Sequence, residues 1–227
     1  MFRGPADGAL LLIAPALFEE MNRTRRLVAL ACAALARAGV RSCLPDLPGT
    51  GDHDGPIGEA SIERWRAALA ALARAFGKGR AVHVLTMRAG ALIAPETGVR
   101  SLYRVAPPRD GTRPWRDLLR ARAAGAAEGG DPQTVAALEA ASRAGADVDA
   151  IGYVITAALA QSLREAQATA PPCPTRTVAT APGDGIDAVL PGRPPWLNAE
   201  PEDVAPLADA LAADWRAWIA AQTSGAP

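Results

Sequence analysis

Ala81-Val82-His83-Val84-Leu85-Thr86-Met87-Arg88-Ala89-Gly90-Ala91-Leu92-Ile93-Ala94 reads as a strand, a tight turn and the start of a helix. Arg80 to Leu85 is an apolar run of strand length, and the small and apolar residues after Arg88 suit a helix that Pro95 cuts short. The same unit recurs on both sides. Upstream, Ala9 to Ala14 is a continuous apolar run, as expected of a strand covered on both faces. Leu27, Leu30, Ala31, Ala34, Leu35 and Ala38 follow at helical spacing from Arg23, and Gly39 ends that helix. Val40 to Leu44 is a second strand and Pro45 to Gly55 a long loop. Ser61 is placed to cap a helix whose inner face is Ile62, Trp65, Leu69, Leu72 and Phe76. Downstream, Ser101 to Ala106 is a fourth strand. Alternation of this kind implies right-handed crossovers and a parallel sheet, an α/β fold.

Residues 110–170 break the alternation. They hold two or three Ala- and Arg-rich helices, with a Gly-rich break at Gly125 to Gly130 and a restart at Pro132 after Asp131. We expect a helical lid inserted into one domain spanning 1–227. Arg176 to Ala181 resumes the sheet, and Pro201 opens a last helix with Val204, Leu207, Leu211, Trp215, Trp218 and Ile219 on one face. Ile186 to Leu190 is a further candidate strand, separated from the previous one by a stretch too short for a parallel crossover. It is therefore expected to turn back antiparallel or to peel away.

Basic and acidic residues number 24 each, which gives no electrostatic reason to expect nucleic acid or an anionic membrane as partner. Ala9 to Leu17 is too short to span a bilayer, and the first residues lack a signal-peptide pattern, so a cytoplasmic location is expected. Cys32, Cys43 and Cys173 are far apart and form no C-x-x-C pair, so neither a metal site nor a disulfide framework is expected, and no cofactor.

The turn at Arg88 carries the functional question. A strand-to-helix elbow of the form G-x-S-x-G displays a nucleophilic serine. Here Thr86 stands in place of the first glycine and Arg88 in place of the serine. A guanidinium stays protonated, so it neither attacks a carbonyl nor accepts a proton.

Four stretches share a pattern: Pro15-Ala16-Leu17-Phe18-Glu19-Glu20-Met21-Asn22-Arg23-Thr24-Arg25-Arg26, Pro45-Asp46-Leu47-Pro48-Gly49-Thr50-Gly51-Asp52, Met87-Arg88-Ala89-Gly90-Ala91-Leu92-Ile93-Ala94, and Gly152-Tyr153-Val154-Ile155-Thr156-Ala157-Ala158-Leu159-Ala160. Through them the chain resembles the α/β-hydrolases and, more narrowly, the exosortase A system-associated hydrolases of the hydrolase 2 type. The resemblance implies a reduced, mostly parallel α/β-hydrolase sheet with the third strand beside the first. It also implies an arginine at the elbow, ester, thioester or amide chemistry in the superfamily, and a place near exopolysaccharide or surface-protein sorting. The chain departs from a full hydrolase at both ends. Only eight residues precede Ala9, and Leu190 to Trp196, where an active hydrolase tends to place its histidine, has none.

Ligands collect at the carboxyl ends of strands where the strand order reverses, which singles out the Glu19–Asn22 loop and the Arg88 turn. Arg88 is either neutralised by Glu19 or Glu20 as a structural pair, or it holds a carboxylate or phosphate, or it stabilises developing charge. Glu19, Glu20 and His53 are the candidate general bases; His53 equally reads as an ordinary polar loop residue, and the glutamates as structural partners of Arg88. Arg88, Glu19, Glu20, Asn22, Asp46 and Met87 are the candidate ligand contacts. Asn22 also suits a helix cap, and Asp46 a bond to its own loop. His83 and Cys43 read as buried structural residues. Asp184 and Asp187 stand where a triad acid could be, and equally suit a turn. The reading is an α/β-hydrolase-like protein without a Ser-His-Asp triad that binds a small acidic or acyl-bearing ligand. The alternatives are an enzyme built on Glu/Arg or His53, and a protein-interaction module that uses the lid.

Overall fold

The computed structural model describes residues 1–130, 132–150, 152–197 and 203–224. Seven strands form one sheet in the order β1-β3-β2-β4-β5-β8-β9. They are β1 (Phe2–Arg3), β2 (Leu10–Ala14), β3 (Arg41–Cys43), β4 (Val82–Met87), β5 (Ser101–Val105), β8 (Thr175–Ala179) and β9 (Ala188–Val189). Among the described residues of this sheet only β1 runs antiparallel, against β3. A separate hairpin joins β6 (Val148–Ala150) to β7 (Tyr153–Ile155).

Alternation along the strands builds two cores. Leu10, Leu12, Val82 and Val84 face α2 (Ile62–Gly77) and the segment holding α3 (Thr112–Glu128), α4 (Val135–Arg143) and α5 (Ala157–Glu165). Leu11, Ile13, Leu85 and Met87 face α1 (Glu19–Arg37) and α6 (Ala205–Ser224), where Leu27, Leu35, Leu211 and Trp215 are buried. Ser61 caps α2 by accepting from the Arg64 N–H. Asp214 latches α6 to the sheet: it accepts from Tyr103 Oη at 2.7 Å and from Arg176 Nε and Nη2, each at 2.8 Å. That arginine holds the Asp214 carboxyl below its ordinary range.

Several expectations are corrected. α1 begins at Glu19 rather than Arg23, so Asn22 lies inside the helix and is not its cap. Phe76 is exposed and packs edge-on against Phe2 at the β1 border. α3 runs through Gly125 and stops only at Gly129 and Gly130, since one glycine within a helix lowers its stability without ending it. β9 neither turns back nor peels away: it pairs parallel to β8 through Val178↔Ala188 and Ala179↔Val189. The pairing is two residues long, so eight connecting residues suffice where a full crossover needs a helix. Asp187 holds it, with its carboxylate accepting from the Thr177 N–H at 2.7 Å. Asp131 and Pro201 lie outside the described residues. Among the described residues no helix is long and apolar enough to cross a membrane.

Two outcomes follow from these contacts. A Cβ at Gly125 would meet nothing within 4 Å, so Gly125→Ala is expected to raise stability by about 0.5–1 kcal/mol in urea denaturation. His83 is buried, with Nδ1 2.7 Å from Ser101 Oγ. Burial, and then Arg100, push its pKa below the ordinary value. The unfolded chain therefore binds the proton more readily, and this contribution to stability is complete above about pH 6.5 and declines as pH falls towards the folded pKa. The melting temperature should fall from pH 7 to pH 5, and His83→Gln should flatten that slope.

Candidate functional site

β4 ends at Met87, and the next residue turns the chain into a single 3₁₀ turn, Arg88–Leu92. Arg88 takes φ 51°, a left-handed conformation uncommon for a non-glycine residue, at the tight turn expected from the sequence. The turn lies hard against β2. A Cβ on Gly90 would come within 2.4 Å of Ala14 O and 2.5 Å of Pro15 O, so only glycine fits there.

Positive φ at non-glycine residues is uncommon, and the described residues hold four: Phe18, Lys78, Arg88 and Ala106. Lys78 is the left-handed C-cap of α2. The other three converge. Arg88 Nη1 donates to Ala106 O at 2.8 Å, and Phe18 and Arg88 line one cavity of about 280 Å³. Phe18 precedes α1 with φ 55° and ψ −132°. Its carbonyl accepts from the Met21 N–H at 3.0 Å and from Tyr153 Oη at 3.4 Å.

Glu20, in the first turn of α1, reaches the guanidinium. Arg88 Nε and Nη2 both donate to its Oε1, at 3.0 and 2.8 Å. The pair is largely sheltered, with side chains 13% and 27% exposed. Trp196 stacks over the guanidinium, 5.2 Å from ring centroid to Cζ, a favourable cation–π arrangement. The stretch that would carry a hydrolase histidine thus supplies an aromatic roof. Leu17, Phe18, Ala89, Pro114, Leu118, Ala121, Trp196 and Leu197 form the apolar wall of the cavity. Its charged rim has three acids, Glu19, Glu20 and Asp117, and three arginines, Arg23, Arg88 and Arg113.

The structure therefore brings Arg88, Glu19 and Glu20 to one cavity. Glu19 is occupied by Arg23 Nε at 3.2 Å and by Asn22 Nδ2 at 3.5 Å. Asn22 also donates to Tyr153 Oη at 3.3 Å, so it braces the hairpin rather than lining the cavity. Met87 is fully buried in the α1/α6 core. Asp46 borders a different cleft with Met21 and Arg25, and Thr50 rather than Asp46 ties the backbone of that loop. His53 is exposed, with Nδ1 accepting from the Gly55 N–H at 2.9 Å, and it is not among the cavity's lining residues. Ala106 and the α3 residues were not singled out from the sequence; Ala106 carries no mark of its φ of 45°. Among the described residues no group of three His, Cys, Asp or Glu is placed to hold a metal.

Solved structures share this architecture. A thermophilic esterase from Thermogutta terrifontis, solved with malate, matches with TM-score 0.60 and 16% identity over 96% of this chain and 91% of its own. A carboxylesterase from the ammonia-oxidizing thaumarchaeon Nitrososphaera gargenis matches with TM-score 0.57 and 12% identity over 100% of this chain and 95% of its own. The chain has the α/β-hydrolase fold. A thioesterase domain from the curacin biosynthetic pathway also matches, with TM-score 0.54 and 14% identity over 93% and 92%. No family model and no curated protein matches the sequence. In this fold the elbow residue of the active members is the nucleophile, and here it is a paired arginine.

Gly90→Ala is expected to destabilise by about 2–3 kcal/mol, because backbone carbonyls leave no room for the methyl group. Urea midpoints read against the parent chain check this.

Proposed function

We propose that this chain is a non-hydrolysing protein of the α/β-hydrolase fold that binds a small carboxylate- or acyl-bearing anion in the cavity at Arg88. One observation carries the reading: three strained backbones, at Phe18, Arg88 and Ala106, gather around a single guanidinium at a cavity wall. Strain of this kind costs about 1–3 kcal/mol per residue and concentrates at functional sites. Glu20 and Ala106 take three of the five N–H donors of Arg88, which leaves two among the described residues for a ligand oxygen. Glu20 itself is a carboxylate on that guanidinium, so the chemistry of the contact already suits one. The apolar wall from Leu17 to Leu197 suits an acyl or other carbon body.

Hydrolysis lacks its parts. Arg88 cannot attack, and His53 is bonded within its own loop. In this reading the segment 112–165 serves as the lid of a single domain, since α3 contributes Arg113, Pro114, Asp117, Leu118 and Ala121 to the wall. The narrower kinship, to the exosortase-associated type, is supported by the meeting of two of its motif stretches, where Tyr153 touches Asn22 and Phe18.

Thermal melts with sodium acetate, malate, phosphate and acetyl-CoA test the proposal on the parent and on Arg88→Met. A carboxylate or acyl anion at a hundredfold its dissociation constant should raise the parent's melting temperature by about 5–11 °C and leave a folded Arg88→Met unmoved. No shift with any anion, or turnover of p-nitrophenyl acetate by the parent, would overturn it.

A further inference from the structure

Arg88 and Glu20 line the same cavity, and they meet through a single carboxylate oxygen. Arginine–carboxylate pairs frequently run as two parallel bonds that use both oxygens. Here Nε and Nη2 both donate to Glu20 Oε1. Glu20 Oε2 makes no hydrogen bond or ion pair among the described residues. An ionised carboxylate only accepts and a guanidinium only donates. The pair therefore sets a spare acceptor beside the two spare donors of Arg88.

Charge and size narrow what suits that arrangement. Glu20 already balances Arg88, so a ligand with a carboxylate alone carries uncompensated charge into a largely sheltered site, where charges are normally paired. A ligand that also carries an ammonium group adds no net charge, and its N–H groups suit Oε2. Arg88 Nη2 and Glu20 Oε1 are 2.8 Å apart. The two charged groups of the ligand must then be neighbours too, as in an α-amino acid and not in a chain with a distant amine. Away from the charged rim the wall is apolar, with Leu17, Leu118 and Trp196. Benzene fills a dry apolar cavity of about 150 Å³. The present cavity, of about 280 Å³, has room for a ring or a branched side chain together with its charged head.

We propose that the ligand of this cavity is an α-amino acid with a large apolar side chain, its carboxylate on Arg88 and its ammonium group on Glu20 Oε2. This rests on the reading that a ligand carboxylate meets Arg88, and it adds Glu20 as the residue that sets specificity. One oxygen of Glu20 fixes the guanidinium. The other distinguishes an amino acid from the plain carboxylic acid with the same carbon body.

Isothermal titration calorimetry compares L-phenylalanine with 3-phenylpropionate, which lacks the amine, and with 2-phenylethylamine, which lacks the carboxylate. L-Leucine and 4-methylpentanoate form a second pair without a ring. In at least one pair the amino acid should bind about tenfold or more tighter than its deaminated partner, the scale of one hydrogen bond between charged groups. Glu20→Gln keeps an oxygen for Arg88 and should erase that preference with little change in affinity for the plain acid. Arg88→Met should lose both. The series on the parent decides by itself if Glu20→Gln fails to fold. Plain acids that bind as tightly as the amino acids, or a preference that survives in a folded Glu20→Gln, would overturn the amino-acid assignment and leave the carboxylate reading intact. Binding of 2-phenylethylamine as tight as that of L-phenylalanine would overturn both. Binding of none of these ligands sinks the assignment, and the melts with acetate and malate then decide the carboxylate reading alone.

Discussion

One guanidinium joins three parts of this molecule that are distant in sequence. Through Glu20 the side chain of Arg88 holds the first turn of α1, through Ala106 O the end of β5, and through Trp196 the segment after β9. Each of these runs past the carboxyl end of a strand, where chain directions diverge and backbone groups lack ladder partners. A serine at the elbow would reach none of them. The arginine thus converts the open end of a hydrolase sheet into a cross-braced one, and the strain at Phe18, Arg88 and Ala106 is held in place by the bonds that meet there.

The layers of the fold were legible because burial on both faces forces continuous apolar runs. Leu10 to Ala14 and Val82 to Met87 have no polar face to hide, and the periodicity of α1 and α6 shows which side covers them. Errors arose where a local signal was outweighed. The start of α1 was set by Phe18, whose unusual backbone no propensity predicts. Gly125 reads as a break, yet α3 carries it because Trp115, Leu118, Leu119 and Ala126 are buried around it. The parallel pairing of β9 rests on backbone bonds reinforced by the Asp187 carboxylate, which hydrophobic patterning does not register.

Of the site, the charged residues were visible and the geometry was not. An arginine in a nucleophile's place is conspicuous, and Glu19 and Glu20 follow from the strand order. Met87 reads as a contact at the elbow, but β4 continues to its last residue and alternation turns Met87 to the core side. His53 and Asp46 belong to a loop that bonds to itself. Nothing in the letters Ala106 or Phe18 announces a positive φ, since the conformation is imposed by the surrounding contacts.

The tyrosine of the β6–β7 hairpin has a mechanical consequence. Its hydroxyl meets both Asn22 and the carbonyl of Phe18, and the rings of Phe18 and Tyr153 pack edge to face, 5.8 Å apart. The hairpin and the cavity wall are therefore geared together. A rotation of the helical segment large enough to part them removes the support that keeps Phe18 out of an ordinary backbone conformation. If the segment serves as the proposed lid, access to the cavity and the shape of its wall change together, because the same tyrosine touches both.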